Sequence, residues 1–561
     1  ERESEADEGG AQADEGGAQA DDRTESDGRD GADSRERTSQ GTGDGAADDG
    51  AVDAEPPADR ERTPIETLED HVGESVRIEG RVVSIRQTGG PTVFEVRDET
   101  GVVDCAAFVE AGVRAYPEVE VDDAVRIDGE AELRYDDLQV ETGALERLDG
   151  DAARAVDERL STALTERARP ESVDPLAAHD PVEAVGDRLR DAAEAVRRAV
   201  FESRPVVVRH MANADGYVAG AALERAVLPL VREEYARSDA EYHYFDRRPL
   251  ETAVYDMDAA TNDVTRMLED RDRHDEKIPL VVLVGVGSTV ESSDGLGLLG
   301  VYGAERVVVD AATADEEIEA DAEVLVNPGL AGADATQLST GALGANLAVA
   351  VDDDVREDLA HLSAVSYWED TPEVYAELAA EAGYDAERVR ELREALALEA
   401  YYQSYEDKRE LVTDILFGDD EASTLAAHVS EQFRIKLEDE VDTAEANLDR
   451  RAVDGVDVAV LDTDAYSHRF DFPPTSLLLD EIHRRNREGE RFVTVGVGMD
   501  ELSLRSTAPL DVRAVAERTR EAVPDAGVTA AGVRDGRIEF LSGAREAVVD
   551  AVIEAVAADF E

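Results

Sequence analysis

Cysteine, lysine and aromatic residues are scarce in this chain of 561 residues, which has one cysteine, three lysines and 5% aromatic side chains. A single cysteine, Cys105, excludes an internal disulfide framework and a cysteine zinc site, and it is typical of a reducing cytoplasm. No apolar run reaches the roughly 18 residues that a membrane-spanning helix needs. We therefore expect a cytoplasmic protein with no membrane partner.

Positive charge is also scarce, because 57 Lys and Arg residues face 133 Asp and Glu residues and the formal net charge is −76. Such acidity is typical of halophilic archaea, whose carboxylate-rich surfaces stay hydrated in high internal salt. At molar salt the Debye length is about 3 Å, and phosphate binding driven by counterion release is weak. Any nucleic-acid contact would then depend on base stacking, short arginine contacts and backbone donors.

The first 62 residues contain few large apolar side chains and are rich in Asp, Glu, Gly and Ala. The heptapeptide Ala-Asp-Glu-Gly-Gly-Ala-Gln occurs at 6–12 and again at 13–19. Such a segment cannot bury enough apolar surface to offset its ordering entropy. We predict that residues 1–62 are a disordered acidic tail.

Residues 63–150 show the alternation of short strands, with Val76-x-Ile78-x-Gly80 followed by Phe94-x-Val96-x-Asp98 and a third strand ending at Phe108. About five short strands with glycine turns favour a small barrel. Their order resembles an OB-fold of the nucleic-acid-binding type. The resemblance implies binding of single strands on one face, through aromatics and a positive groove. The candidates for this face are Arg81, Arg86, Phe94, Phe108, Arg134 and Tyr135, although each aromatic could instead pack in the core.

The rest of the chain divides into four segments. They are a helical linker (151–203), an α/β domain (204–371), a helical connector (372–452) and a smaller C-terminal α/β domain (453–561). The strands predicted for the first α/β domain are Pro205–Arg209, Tyr242–Phe245, Pro279–Val284, Arg306–Asp310 and Glu323–Asn327. Continuous apolar strands between helices indicate a doubly wound parallel sheet, whose ligands gather at the carboxyl ends of the strands.

Two strand ends of this sheet resemble motifs of the DHH phosphoesterase family, which includes RecJ-like exonucleases. Met211-x-Asn213-x-Asp215-Gly216 stands where the family usually has His-x-Asp-x-Asp-Gly, and Asp310-Ala311-Ala312 stands where it has Asp-His-His. Gly285 replaces a ligand aspartate of the second motif, and Asp370 keeps the aspartate of the fourth.

The resemblance implies a metal site that has lost most of its ligands. Active members of the family hold two divalent metals with clustered Asp and His. Here Asp215, Asp310 and Asp370 remain, and they could hold one weak Mn or Mg ion. The alternative for Asp215 and Asp310 is structural, because an aspartate at a strand–helix junction often caps the helix.

The segment from Val495 to Thr507 resembles the substrate-binding C-terminal domain that accompanies DHH domains. The family usually has Gly-Gly-Gly-His in this domain, and the matching stretch here, 529–532, reads Thr-Ala-Ala-Gly without a histidine. Arg505 is the remaining candidate for a phosphate contact.

These motifs leave three functions open. The first is a catalytically inactive RecJ-like protein that needs no cofactor and binds single-stranded DNA or RNA. It would be a structural partner in DNA replication or repair, and family analogy suggests a GINS-type complex as its partner. The second is an active metal-dependent single-strand exonuclease or phosphoesterase that uses the three aspartates with help from Glu369, Asp315 or His210. The third is a regulatory module that binds a mononucleotide in the cleft where the family's active site would lie.

Overall fold

The structure is a computed structural model that describes ten segments of the chain. They are residues 60–87, 90–108, 113–134, 137–235, 239–274, 276–402, 409–418, 420–467, 471–487 and 489–560. Contacts group Arg60–Glu561 into one compact unit. Residues 1–59 of the predicted acidic tail lie outside these segments, and so does Tyr135. Within them, no helix is long and apolar enough to cross a membrane.

The first domain is a closed barrel. Its strands are β1 (Ser75–Gln87), β2 (Thr92–Arg97), β3 (Val102–Ala107), β4 (Ala124–Arg134) and β5 (Asp137–Arg147). They follow the order β1-β2-β3-β5-β4, in which only β3 and β5 pair in parallel. Buried and less buried side chains alternate along β1, because successive side chains of a strand point to opposite faces. The predicted OB-fold barrel is confirmed.

Three helices connect the barrel to the central sheet. They are α1 (Gly150–Ala168), α2 (Asp180–Glu183) and α3 (Gly186–Phe201). The start of α1 packs on the barrel, where Val156 is buried with Leu148 and Ala124. Helix α3 carries an apolar stripe from Leu189 to Val200 that joins the main core.

The central domain is a five-stranded parallel sheet covered by helices. Its elements are β6 (Val206–Met211), α4 (Ala214–Glu234), α5 (Ala240–Tyr244), β7 (Phe245–Leu250), α6 (Met257–His274), β8 (Leu280–Val284), α7 (Ser293–Val301), β9 (Glu305–Val309), β10 (Val324–Val326), α8 (Thr340–Val351), α9 (Arg356–Leu359) and α10 (Leu362–Val365). The strand order is β10-β9-β8-β6-β7, and all neighbours are parallel.

Helices cover both faces of this sheet, which explains why β8 is a continuous apolar run with all five side chains buried. One face packs in the main core with α3, α4 and α8. The other face packs against α6 and α7. The prediction of a doubly wound parallel sheet is confirmed, but the predicted strand Tyr242–Phe245 is wrong. Helix α5 ends at Tyr244, and the strand begins at Phe245.

Four helices then lead to the C-terminal domain, and some of them join the main core. They are α11 (Glu373–Glu381), α12 (Ala386–Tyr402), α13 (Arg409–Phe417) and α14 (Asp420–Glu445). Helix α12 contributes Leu392 and Leu396 to that core, and α14 contributes Phe433.

The C-terminal domain is a mixed six-stranded sheet with four helices. Its elements are β11 (Asp449–Val453), β12 (Val456–Asp462), α15 (Thr463–Tyr466), α16 (Thr475–Asn486), β13 (Phe492–Val497), β14 (Glu501–Ser506), α17 (Val512–Ala522), β15 (Thr529–Gly532), β16 (Arg537–Glu539) and α18 (Arg545–Asp559). The strand order is β11-β12-β13-β14-β16-β15. Antiparallel β15 and β16 are joined by a turn, residues 533–536, which contacts the central domain.

Candidate functional site

The carboxyl end of β6 turns directly into α4, and Asn213 makes the turn. Its backbone is extended, and its Oδ1 accepts a hydrogen bond of 2.9 Å from the Gly216 N–H. This is the geometry of an N-cap, which satisfies one of the unpaired N–H groups at the start of a helix. Asn213 therefore stabilises the start of α4.

Asp310 follows β9, and its side chain is completely buried. Its Oδ1 accepts hydrogen bonds from Thr340 Oγ1 at 2.9 Å and from the Ala312 N–H at 3.0 Å. Its Oδ2 accepts from Ser288 Oγ at 2.7 Å and from Arg534 Nη1 at 3.0 Å. A carboxylate has about four lone-pair positions. All of them are used here by protein donors.

Arg534 comes from the β15–β16 turn and is the cation that pairs with Asp310. The same guanidinium donates to the Gly285 carbonyl and, at 3.4 Å, to Thr340 Oγ1. Gly285 has a φ of +68°, and a Cβ at this residue would lie 2.9 Å from Arg534 Nη1. The glycine therefore supplies both a left-handed backbone and the room that the guanidinium occupies.

Asp215 lies in the first turn of α4 and keeps part of its surface exposed. Its Oδ1 accepts a hydrogen bond of 2.7 Å from the Gly341 N–H, at the start of α8. Burial raises the pKa of Asp215 to about 6, against the lowering effects of the Arg534 charge and the Gly341 N–H. Asp310 nearby raises the pKa further.

Two adjoining cavities lie beside these carboxylates. Asp215 and Arg534 line the first, of about 680 Å³. Asp370 lines the second, of about 480 Å³, with Trp368 and Glu369. Asp310 lines neither, because it is buried behind the first.

The three aspartates predicted to share a metal ion therefore have three different surroundings. Asp310 is saturated with donors, Asp215 binds a helix N-terminus, and Asp370 is exposed with a left-handed backbone, φ +50°. In the described part of the chain, no group of three or more His, Cys, Asp or Glu side chains could hold a metal ion. The predicted three-aspartate metal site is not assembled, and the residues present do not fit the family's metals. Binding of Mn or Mg by one of these carboxylates stays a prediction.

The residues considered as helpers of a reduced metal site have other partners. His210 is buried, donates from Nδ1 to the Met211 carbonyl at 2.9 Å, and packs edge-on against Tyr217. Burial, with smaller contributions from nearby arginines, lowers the pKa of His210 to about 3. Asp315 forms an ion pair with Arg513.

Glu369, the third helper, forms an ion pair of 2.8 Å with Arg487. None of the three helpers is therefore directed at a shared metal position with Asp310.

The residues predicted for the strand-binding face of the barrel are scattered over it. Phe94 has no exposed surface and packs in the barrel core with Val96, so it cannot stack on a base. Arg81 pairs with Asp157 of α1 and donates to a backbone carbonyl, so its charge serves the contact between barrel and helix. These positions correct the predictions that Phe94 and Arg81 lie on the strand-binding face.

Three other predicted face residues reach the surface. Arg86 is exposed but is paired with Asp104 through bonds of 2.8 and 2.7 Å. Phe108, just after β3, is 50% exposed. Arg134 is exposed at the end of β4.

Arg505 was predicted to contact a phosphate, and in the structure it has protein partners instead. It forms an ion pair with Asp480, and its Nη1 donates to the Asp535 carbonyl at 2.9 Å. Its position beneath the turn suits a role in holding Arg534. Sequence reasoning overlooked Arg534, although an arginine beside the expected phosphate-binding stretch was a visible signal.

Comparison with known proteins agrees with this architecture. Residues 76–148 match the family described as OB-fold nucleic acid binding domain. The uncharacterized protein MJ1198 of Methanocaldococcus jannaschii is 30% identical over 523 residues, which cover 86% of this chain and 68% of the relative.

Two solved structures are also similar. One is the "Member of s1p family of ribosomal proteins PF0399 DHH domain", with 27% identity, a TM-score of 0.67, and coverage of 73% of this chain and 99% of the other. Another is RecJ from Thermus thermophilus in complex with Mn²⁺, with 17% identity, a TM-score of 0.46, and coverage of 72% and 59%. The chain belongs to the DHH/RecJ-like family, and it carries an OB-fold domain in front of the DHH-like domain.

Proposed function

We propose that this protein binds single-stranded nucleic acid and does not hydrolyse it by two-metal chemistry. One observation carries the proposal: in a chain of a nucleic-acid-binding phosphoesterase family, all the acceptor positions of Asp310 are filled by protein donors. A metal ion could reach this carboxylate only after Arg534 had moved away.

The other motif positions support the same conclusion. Two-metal hydrolysis needs several anionic or imidazole ligands that hold the ions a few ångströms apart. Ala311, Ala312 and Gly285 offer no side-chain ligand atoms, and the Asn213 oxygen caps α4. The neutral amide of Asn213 would not offset the repulsion between two cations.

The barrel is the proposed binding module, and Phe108 is its proposed stacking residue. Bases stack on aromatic side chains at about 1–3 kcal/mol each, with little dependence on sequence. Phe108 is half exposed, and Arg134 is exposed on the same barrel. Arg86 is already neutralised by Asp104. Affinity that depends on stacking would also survive the high salt to which the acidic composition is suited.

We further propose that the protein acts beside other proteins in DNA replication or repair. A protein that binds a strand without hydrolysing it needs partner proteins that process the bound strand. A GINS-type complex is the candidate partner from family analogy. We also propose that the protein works in the cytoplasm of a salt-adapted archaeon.

The test is a combined cleavage and binding assay in molar KCl. Fluorescently end-labelled single-stranded DNA and RNA are incubated with Mn²⁺ and the wild type, and the same samples are measured by fluorescence anisotropy. We expect binding without shortening of the labelled strand. Degradation that disappears in Asp310→Ala would show a working site, and absence of binding to both strands would reject the binding function.

A variant pair tests the stacking residue. Phe108→Ala is expected to weaken binding about 5- to 150-fold, from the stacking energy of about 1–3 kcal/mol. The matched control is Tyr242→Ala, which removes an exposed aromatic, 79% exposed, from the DHH-like domain. Equal affinities for the two variants would remove Phe108 from the interface.

A further inference from the structure

The β15–β16 turn crosses from the C-terminal domain into the cleft of the DHH-like domain. Arg534 reaches Asp310, the Gly285 carbonyl and Thr340. The next residue, Asp535, accepts from the Ala253 N–H at 3.3 Å through its carboxylate. Two successive side chains of one turn are therefore bonded to the opposite domain.

The turn is held from behind within its own domain. Arg505 donates to the Asp535 carbonyl, and the Leu504 N–H donates to the Gly536 carbonyl at 2.9 Å. Gly536 has a φ of +64°, and a Cβ there would lie 2.5 Å from the Leu504 carbonyl oxygen. The conformation that aims Arg534 at the cleft is thus specified by a glycine and by backbone bonds.

The receiving side is shaped for a guanidinium. Asp310 is buried, Gly285 offers its carbonyl, and Thr340 offers a hydroxyl that also donates to Asp310. A Cβ at residue 285 would come within 2.9 Å of Nη1 and displace it from these acceptors. The position that carries a ligand aspartate in the family is thus the position that must stay a glycine for Arg534 to dock.

We infer that Arg534 is an internal cation that takes the place of the family's metal at Asp310 and fixes the C-terminal domain over the cleft. A buried carboxylate needs a compensating charge. In metal-binding relatives an ion supplies it, whereas here the partner domain supplies it. The pairing both excludes divalent ions from Asp310 and makes the contact between the two domains independent of metal.

A second arginine between the same domains provides the matched control. Arg513 of α17 forms ion pairs with Glu291 at 2.8 Å and Asp315 at 2.6 Å. These carboxylates are partly exposed. Ion pairs that water reaches contribute little to stability, whereas removing one partner of a buried pair leaves an uncompensated charge.

The experiment compares thermal unfolding of the full chain in molar KCl, with EDTA or with millimolar MnCl₂. The proteins are the wild type, Arg534→Met, Arg513→Met, and the double variant Asp310→Asn/Arg534→Met. We expect Arg534→Met to unfold at a lower temperature than Arg513→Met in EDTA, and we expect Mn²⁺ not to restore it, because Ser288, Thr340 and the Ala312 N–H still fill three acceptor positions of Asp310. The wild type and Arg513→Met are expected not to respond to Mn²⁺.

The double variant separates the lost charge from lost packing. It removes the buried carboxylate together with its cation, so it is expected to unfold above Arg534→Met in EDTA and to ignore Mn²⁺. If Arg534→Met does not fold, a folded double variant still supports the inference. A wild type stabilised by Mn²⁺, an Arg534→Met restored by Mn²⁺, or a double variant no more stable than Arg534→Met overturns it.

Discussion

Replacing Asp215 by asparagine is expected to stabilise the protein at neutral pH and to change little at pH 4. The pKa of this carboxyl is raised from 3.8 to about 6, mainly by burial. The folded chain therefore holds the proton more tightly than the unfolded chain. Its stability consequently falls as the pH rises from about 4 to about 6, and the full penalty remains above that window.

The size of the effect follows from the difference of about two in pKa. At about 1.36 kcal/mol for each pKa unit, the penalty is at most about 3 kcal/mol. Asp215 is partly exposed to the cleft, and screening by water reduces our expectation to about 1–2 kcal/mol. Asparagine has no charge to bury, and its Oδ1 can still accept the Gly341 N–H.

The assay is chemical denaturation of the wild type and Asp215→Asn from pH 4 to pH 8 in molar KCl. The gain in unfolding free energy should rise from near zero to a plateau above pH 7. Asp334→Asn is the control, because Asp334 is exposed in the same cavity and its pKa is lowered by bonds from Thr336. A gain independent of pH, or a variant less stable than the wild type at pH 7.5, would refute the reasoning.

Three further outcomes are expected. Gly536→Ala should lower the thermal midpoint more than Gly303→Ala. Both glycines have a positive φ, which costs alanine about 1–2 kcal/mol, but only a Cβ at residue 536 would also collide with a backbone oxygen. Equal midpoints would contradict this expectation. In urea denaturation, Phe94→Ala should lose about 3–5 kcal/mol of unfolding free energy, and Phe108→Ala should lose less than about 1 kcal/mol. Similar losses would show that Phe94 is not a core residue. Burial lowers the pKa of His210 to about 3, so His210 of the unfolded chain is protonated first and the stability of the protein falls as the pH drops from about 6.5. His210→Gln should flatten that part of the profile of stability against pH, and an unchanged slope would argue against a buried neutral imidazole.

Several elements could be predicted because their signals are local. The apolar runs of β6 and β8 indicated buried parallel strands, and the alternation in β1 indicated a barrel strand. The inward direction of the Phe94 side chain could also have been predicted. It shares the inward phase of Val96, opposite to Glu95, in a strand whose buried positions alternate. Helix α5 was not predicted, because the four residues Tyr242–Phe245 are too few to distinguish a strand from a helix end by their pattern.

The sequence by itself determined the order of the domains and the absence of side-chain ligand atoms at three strand-end positions, because such an atom is present or absent in the covalent structure of each residue. Ala311, Ala312 and Gly285 lack such atoms in any fold. Only the tertiary structure decided what Asp310 binds instead. Its cation lies 224 residues away in the chain, and no local pattern reports a contact that forms when two domains close on each other.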